Sequence, residues 1–248
     1  GSFNVGLGEL SVGNNTTGSF NIGVGSGSLG DLVSGTGNTA VGDFALRTNQ
    51  TGNGNIALGQ SADVSRPNLQ NATAIGWTAI VNASDKVRIG NTFVTVIEGQ
   101  VPFTTPSDGR YKFNVQEDVK GLDFILNLRP VTYQFNVQEF DAHLRQTTKE
   151  ATRGDASSSR LSPDYNNAMQ MRRTGFIAQE VEKAAVKAGF NFSGLTKPKT
   201  AGEHYGLSYE SFVVPLVKAV QEQQTIIEKL EKKLDELTQL VNSMKQNK

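Results

Sequence analysis

Through the first hundred residues an aliphatic residue followed by glycine recurs at Val5-Gly6, Ile22-Gly23, Val41-Gly42, Leu58-Gly59 and Ile75-Gly76, in steps of 17, 19, 17 and 17. The flanks recur with it: Ser2-Phe3-Asn4 returns as Ser19-Phe20-Asn21, then as Asn38-Thr39-Ala40, Asn55-Ile56-Ala57 and Ala72-Thr73-Ala74. Between these short strand patterns lie runs of turn residues such as Asn14-Asn15-Thr16-Thr17-Gly18 and Asn49-Gln50-Thr51-Gly52-Asn53. A rung this small buries too little surface to fold alone. Rungs stacked by backbone hydrogen bonds make a continuous core, with glycine where the chain turns sharply or approaches a neighbour. The pattern therefore predicts a β-solenoid over 1–82. Val87-Arg88-Ile89-Gly90 reads as a last, irregular rung, Phe93–Ile97 as a β-branched strand, and Val101-Pro102-Phe103-Thr104-Thr105-Pro106 as an extended connector, since proline keeps its predecessor out of the helical region.

Beyond residue 106 the periods change. Residues 117–128 carry Val119, Leu122, Ile125 and Leu126 at helical spacing, and Val131, Tyr133 and Phe135 alternate as a strand. The stretch from Asn136 to Arg173 lacks periodicity and reads as an inserted loop. Phe176-Ile177 resumes as a short strand, Gln179 to Ala188 as a helix with Val181, Ala184, Ala185 and Ala188 inward and Gly189 as its stop, and Asn191 to Gly202 as a loop. From Pro215 a heptad runs to the end, with Val220, Ile227, Leu234 and Val241 at a, and Leu216, Gln223, Leu230, Leu237 and Met244 at d. Such a seam predicts a coiled coil, against the alternative of one helix folded back on its own domain. Pro215 must then lie in the first helical turn.

Composition sharpens the division. Of 26 glycines in 248 residues, 18 fall in the first 100; that half holds 4 basic and 6 acidic side chains, the remainder 20 and 18. The balance of 24 basic against 24 acidic residues leaves no cationic excess for nucleic acid or an anionic membrane surface, and the absence of cysteine removes disulfides and thiolate metal sites. No apolar run reaches the roughly 18 residues of a membrane span. The start, Gly1-Ser2-Phe3-Asn4, has no signal pattern, so any targeting signal is expected outside the segment. Carboxylate pairs, metal-ligand spacing and phosphate loops do not appear, and glycines such as Gly6 and Gly8 belong to the repeat, so neither cofactor nor metal is expected. His143 and His204 are the two histidines, and neither has triad surroundings.

The units Asn38-Thr39-Ala40-Val41-Gly42-Asp43-Phe44-Ala45-Leu46 and Ala72-Thr73-Ala74-Ile75-Gly76-Trp77-Thr78-Ala79 resemble the head repeats of trimeric autotransporter adhesins. The resemblance implies a left-handed parallel β-roll with three chains side by side. The first two units depart from it, with Phe3-Asn4 and Phe20-Asn21 in place of Thr-Ala.

Ser107-Asp108-Gly109-Arg110-Tyr111-Lys112 follows the connector, and Leu122 through Tyr133, Gly175-Phe176-Ile177-Ala178-Gln179-Glu180-Val181, and Tyr205-Gly206-Leu207-Ser208-Tyr209 with a long helix come after it in order. Together these resemble the C-terminal intramolecular chaperone domain of phage tailspikes, tail fibres and endosialidases, the S74 peptidase family. The resemblance implies that the domain drives trimerisation of the fibre ahead of it and then cuts itself away before the signature serine with a serine-lysine dyad. Carried over by position, Ser107 is the nucleophile, Lys112 its base, and the scissile bond lies between Pro106 and Ser107; Asp108 and Arg110 match the motif without an assigned role. Serine needs such a base because it is a poor nucleophile alone, and the lysine must be neutral to serve.

The expected organisation is thus a trimeric left-handed β-roll at 1–82, a β connector at 83–106, an α+β chaperone domain at 107–214, and a trimeric coiled-coil helix at 215–248. The expected function is that of the C-terminal part of a homotrimeric fibre, in a virion tail fibre or an extracellular or cell-surface appendage, processed once in cis. The alternative is a non-cleaving trimeric surface adhesin that binds a host glycan or surface through the β-roll, with Phe44 and Trp77 as sugar platforms or as packed ring side chains. Partners are then further copies of the chain and a host surface or glycan, with no nucleic acid and no membrane insertion.

Overall fold

The computed structural model describes residues 1–146 and 165–246. Two compact units emerge: Gly1–Gln100 with Tyr133–Arg173 and Pro198–His204, and Val101–Thr132 with Thr174–Lys197 and Tyr205–Lys248.

The first unit is built on a β-solenoid. Strands β1 (Val5–Leu7), β2 (Ile22–Val24), β3 (Thr39–Val41), β4 (Ile56–Leu58), β6 (Thr73–Ile75) and β8 (Val87–Ile89) form one parallel sheet in that order. Two-residue strands β5 (Asp63–Val64) and β7 (Ile80–Val81) pair in a second sheet. The register aligns Val5 with Ile22, Ile22 with Thr39, Thr39 with Ile56 and Ile56 with Thr73, a uniform advance of 17, and closes with Thr73 opposite Val87, an advance of 14. The expected 19-residue step is therefore corrected. Ile22-Gly23 lies beside Thr39-Ala40, and the equivalents of Val41-Gly42 are Leu7-Gly8 and Val24-Gly25. The glycines of this column, Gly8, Gly25, Gly42, Gly59 and Gly76, all have φ between 114 and 129°. A Cβ on Gly42 would also stand 2.6 Å from the Gly59 carbonyl carbon, so both conformation and stacking require glycine. Val87–Ile89 continues the sheet as the expected last rung, whereas Phe93–Ile97 forms no strand: it is rich in β-branched residues but has no ladder partner among the described residues.

Small residues at the strand centres, Gly23, Ala40, Ala57 and Ala74, face inward beside buried Leu29, Leu32, Leu46, Val64 and Val81. An asparagine ladder runs through the same interior. Asn21, Asn38 and Asn55 are buried; each side-chain oxygen accepts a backbone N–H of the next rung (Asn38, Asn55, Ala72) at 2.9–3.0 Å. Their amide groups donate to the carbonyls of Gly35, Gly52 and Leu69 at 2.7–2.9 Å. In the two atypical rungs Phe3 and Phe20 stack at 5.1 Å, replacing the Thr-Ala packing with a ring pair. The strand residues on either side of each inward centre, among them Val5, Leu7, Ile22, Val41, Ile56 and Leu58, point outward and are 39–66% exposed. The outcome is an aliphatic stripe along one face of the sheet.

The last rungs of this unit are closed by later segments. Helix α2 (Val137–Arg145) and short helix α3 (Asn166–Gln170) replace part of the expected loop; the sequence between them lies outside the described residues. Asn136 caps α2 by accepting the Glu139 N–H at 3.1 Å. Buried Asp141 receives Arg145 at 2.7 Å, Tyr165 at 3.0 Å and Thr92 at 3.3 Å. The 198–204 loop brings Glu203 to Arg66 at 3.3 Å, while Asn82 donates to the Gly202 carbonyl at 2.7 Å and meets His204 Nδ1 at 3.1 Å.

That last contact carries a pH dependence. Asn82 Oδ1 accepts the Lys86 ammonium at 3.1 Å, so its NH2 faces the loop and His204 Nδ1 must accept. Burial, then the neighbouring Lys86, Arg88 and His143 against Glu203, pushes the His204 pKa from 6.5 down to about 4. The unfolded chain takes up this proton near pH 6.5 and the folded chain only near 4, so the stabilisation is full above pH 6.5 and fades as pH falls toward 4. The melting temperature is expected to drop across that window, and His204→Gln to flatten the drop. Parallel profiles for the two proteins would exclude the role.

The second unit has an aromatic core. Helix α1 is a single turn (Leu122–Ile125), not the longer helix expected, and it buries Phe124 while Leu126 is exposed. Phe124 packs on Phe190, Phe192 and Phe212 at 5.0–6.2 Å, beside Val181, Ala184 and Ala185 of helix α4 (Ala178–Lys187). Gly189 ends α4 at φ 60°, as expected of a helix stop. Strand β9 (Val131–Gln134) is paired with β10 (Arg172–Gly175), which ends just before the expected Phe176-Ile177 strand. A two-residue hairpin pair, β11 (Leu195–Thr196) with β12 (Gly206–Leu207), interrupts the expected loop. The chain ends in helix α5 (Val213–Gln246), with Pro215 in its first turn. Glu222 of α5 accepts the Leu122 N–H at 2.8 Å, capping α1, and a Cβ on Gly121 would meet the Ala219 nitrogen of α5 at 2.6 Å. Further along α5 the seam residues Ile227, Leu230, Leu234, Leu237, Val241 and Met244 are 40–65% exposed, so the described residues leave the seam uncovered.

Candidate functional site

Ser107 and Lys112 lie in a connector whose side chains from Val94 to Gln116 are exposed. Five residues of extended chain would separate their Cα atoms by roughly 17 Å. A 3₁₀ turn over Gly109–Tyr111 shortens that path, with Tyr111 N–H bonded to the Asp108 carbonyl at 3.1 Å and Lys112 N–H to the Gly109 carbonyl at 3.2 Å. As a result Lys112 Nζ donates to Ser107 Oγ at 2.7 Å. The pair suggested by the motif is thus in hydrogen-bond contact, and with the amine deprotonated the same contact can run the other way, hydroxyl to nitrogen.

Asp108 starts the turn. Its Oδ1 accepts the Arg110 N–H at 2.9 Å, and the Arg110 guanidinium grips the same carboxylate through Nε at 2.9 Å and Nη2 at 2.6 Å. The guanidinium, and next the backbone N–H, hold the Asp108 carboxyl below the usual carboxylate range. Spacing alone did not reveal this cap, although Ser-Asp-Gly is a turn sequence in which Asp side chains bond two residues ahead. Pro106, on the other side of Ser107, is exposed and extended with Val101 to Thr105.

The remaining candidates are placed elsewhere. His204 is engaged by Asn82, and His143 lies on α2. Phe44 rests over Gly27 of the preceding rung with Arg47 4.8 Å from its ring centre, so that ring is partly packed, whereas Trp77 is 39% exposed. Among the described residues no three His, Asp or Glu side chains gather as a metal site, and no helix is long and apolar enough to cross a membrane.

Residues 107–190 match the family model of peptidase S74, described as the chaperone of endosialidase. The match opens at Ser107 itself; the motif at Tyr205–Tyr209 and helix α5 lie beyond it. No curated protein and no solved structure matches the chain.

Proposed function

We propose, on the premise that residues 107–190 are a domain of this chaperone family, that the chain is the C-terminal part of a homotrimeric fibre whose chaperone domain sets the register of the β-solenoid and then cuts itself away before Ser107. The observation that carries this reading is the closed end of the solenoid. Asp141 from the matched segment, and Glu203 and His204 from the loop beyond it, engage Thr92, Arg66 and Asn82 in the last rungs. A solenoid end is where stacking has no next rung to satisfy it, so a domain that supplies those partners gives the first rung to form a template. Two further features favour a trimer: the outward aliphatic stripe of the sheet, and the uncovered heptad seam of α5, both apolar surfaces that further copies would bury. A left-handed β-roll in a virion tail fibre or an extracellular appendage fits this arrangement.

The cut follows from the dyad. Neutral Lys112 takes the Ser107 hydroxyl proton as Oγ attacks the Pro106 carbonyl carbon. The C–N bond between Pro106 and Ser107 breaks, the proton passes to the leaving Ser107 nitrogen, and an ester joins Pro106 to Ser107 Oγ. Water then hydrolyses the ester, leaving a Pro106 carboxylate and a free Ser107 with its amine and hydroxyl. Intact mass of denatured, freshly expressed protein is expected to show two fragments divided before Ser107, and Ser107→Ala a single full-length species. One uncut species in the wild type rules out the cleavage; light scattering on the same sample reads the oligomer.

A further inference from the structure

The dyad works only if two geometric conditions hold together, and neither is met by serine and lysine themselves. The lysine must return to the serine over five residues, and no carboxylate may stand ready to pair with its ammonium, because an ion pair favours the charged form that cannot act as a base. Asp108, the residue after the nucleophile, bears on both. Its Oδ1 holds the Arg110 N–H at 2.9 Å and so fixes the turn that ends at Lys112. Without a partner for its second oxygen, the same carboxylate, four residues from Lys112, would offer Oδ2 to the ammonium. Arg110 takes that place, with Nη2 on Oδ2 at 2.6 Å and Nε shared between Oδ2 at 2.9 Å and Oδ1 at 3.2 Å, so that the guanidinium spans both oxygens.

We propose that Asp108 and Arg110 are positioning residues for the self-cleavage: Asp108 caps the turn that returns Lys112 to Ser107, and Arg110 holds the Asp108 carboxylate on that cap and away from the lysine. The inference rests on the serine-lysine reading above and gives a role to the two motif residues that reading leaves without one. Neither touches the scissile bond. Arginine suits this place better than lysine, since its planar guanidinium bonds the carboxylate through two N–H groups at once, which a single ammonium does not.

The experiment follows cleavage of the full chain made by brief cell-free synthesis and diluted into buffers of increasing pH, with fragments read by intact mass. Arg110→Gln frees the Asp108 carboxylate; the pH of half-maximal rate is expected to rise, which lowers the rate near neutrality while leaving the alkaline plateau close to wild type. The double variant R110Q/D108N removes the freed charge but keeps an amide oxygen for the cap, and its pH midpoint is expected to return toward the wild-type value. Asp108→Ala loses the cap and is expected to slow cleavage across the pH range without moving the midpoint. A merely structural role would lower the plateau of Arg110→Gln and leave its midpoint in place, and that result, or a double variant still displaced, overturns the proposal.

A second readout keeps this separate from the dyad itself. In the Ser107→Ala chain, which cannot cut, the pH profile of Lys112 acetylation by acetic anhydride is expected to move upward with Arg110→Gln and back with the double variant. If wild type fails to cleave yet the acetylation profile moves as stated, the cleavage reading fails and the pairing of Asp108 with Arg110 stands; an unmoved acetylation profile overturns the pairing even where cleavage is normal.

Discussion

A chain ending at Pro106 is expected to accumulate as aggregate or unfolded protein, and the full-length chain is expected as soluble trimer, whether or not the bond before Ser107 has been cut. Without the later segments, Arg66, Asn82 and Thr92 in the last rungs lose the partners supplied by Glu203, Gly202, His204 and Asp141. With the covering segments gone water reaches these groups, so the equilibrium cost is modest, and what the chain loses is the template for its end rung. The kinetic cost is separate. Every ladder contact joins residues about a full rung apart, a non-local closure that forms slowly, and joining three chains at one end raises the effective concentration of their strands. Size exclusion with light scattering and far-UV circular dichroism reads the outcome. A soluble, folded trimer from residues 1–106 alone removes the chaperone role.

The second large effect is expected inside the solenoid. Asn38→Leu keeps the volume of a buried position but leaves the Asn55 N–H without its 2.9 Å partner and the Gly52 carbonyl with only the Asn49 amide at 3.2 Å. One buried orphan and one weakened acceptor imply a loss of about 2–3 kcal/mol per chain, because burying a group unpaired costs its full desolvation. Asn14→Ala makes the contrast. Its side chain also reaches the next rung, bonding the Gly30 carbonyl at 2.6 Å, but on the exposed surface where water replaces the bond, so a change below about 1 kcal/mol is expected. Denaturant unfolding of the two variants measures the difference; similar losses would mean that the ladder is not what holds the rungs.

The repeat was legible in the sequence because the aliphatic and glycine positions recur, but the register was not. In the first two rungs an aliphatic-glycine pair occurs twice, at Val5-Gly6 with Leu7-Gly8 and at Ile22-Gly23 with Val24-Gly25, and hydrophobicity cannot choose between them. Backbone conformation can: only the second glycine of each pair has positive φ, and it is the one that lies in line with Gly42. The asparagine ladder, spaced by 17 from Asn4 to Asn55, carried the same information in plain view. In the second unit, the spacing of Val119, Leu122 and Leu126 suggested a helix face that a single turn cannot make, and the aromatic cluster around Phe124 decided which side went inward. Phe93–Ile97 had the β-branched composition of a strand but, among the described residues, no neighbour to pair with. At the site, Ser107 and Lys112 were named through the motif they share with a family; the Asp108 cap that brings them to 2.7 Å is a side-chain to backbone bond that spacing does not encode.

The middle rungs are nearly interchangeable. β2, β3, β4 and β6 meet their neighbours through the same 17-residue advance, the same inward small residue and, up to Ala72, the same asparagine hand-over. The rung ending at β8 differs, advancing 14 residues and turning Arg88 inward where the others have alanine or glycine. Adding or removing one whole unit between Gly25 and Gly42 would keep the ladder register on both sides of the junction and leave the end rung intact. Length is consequently a free parameter of such a shaft, open to change by duplication of a single segment, while the site of its termination is written once.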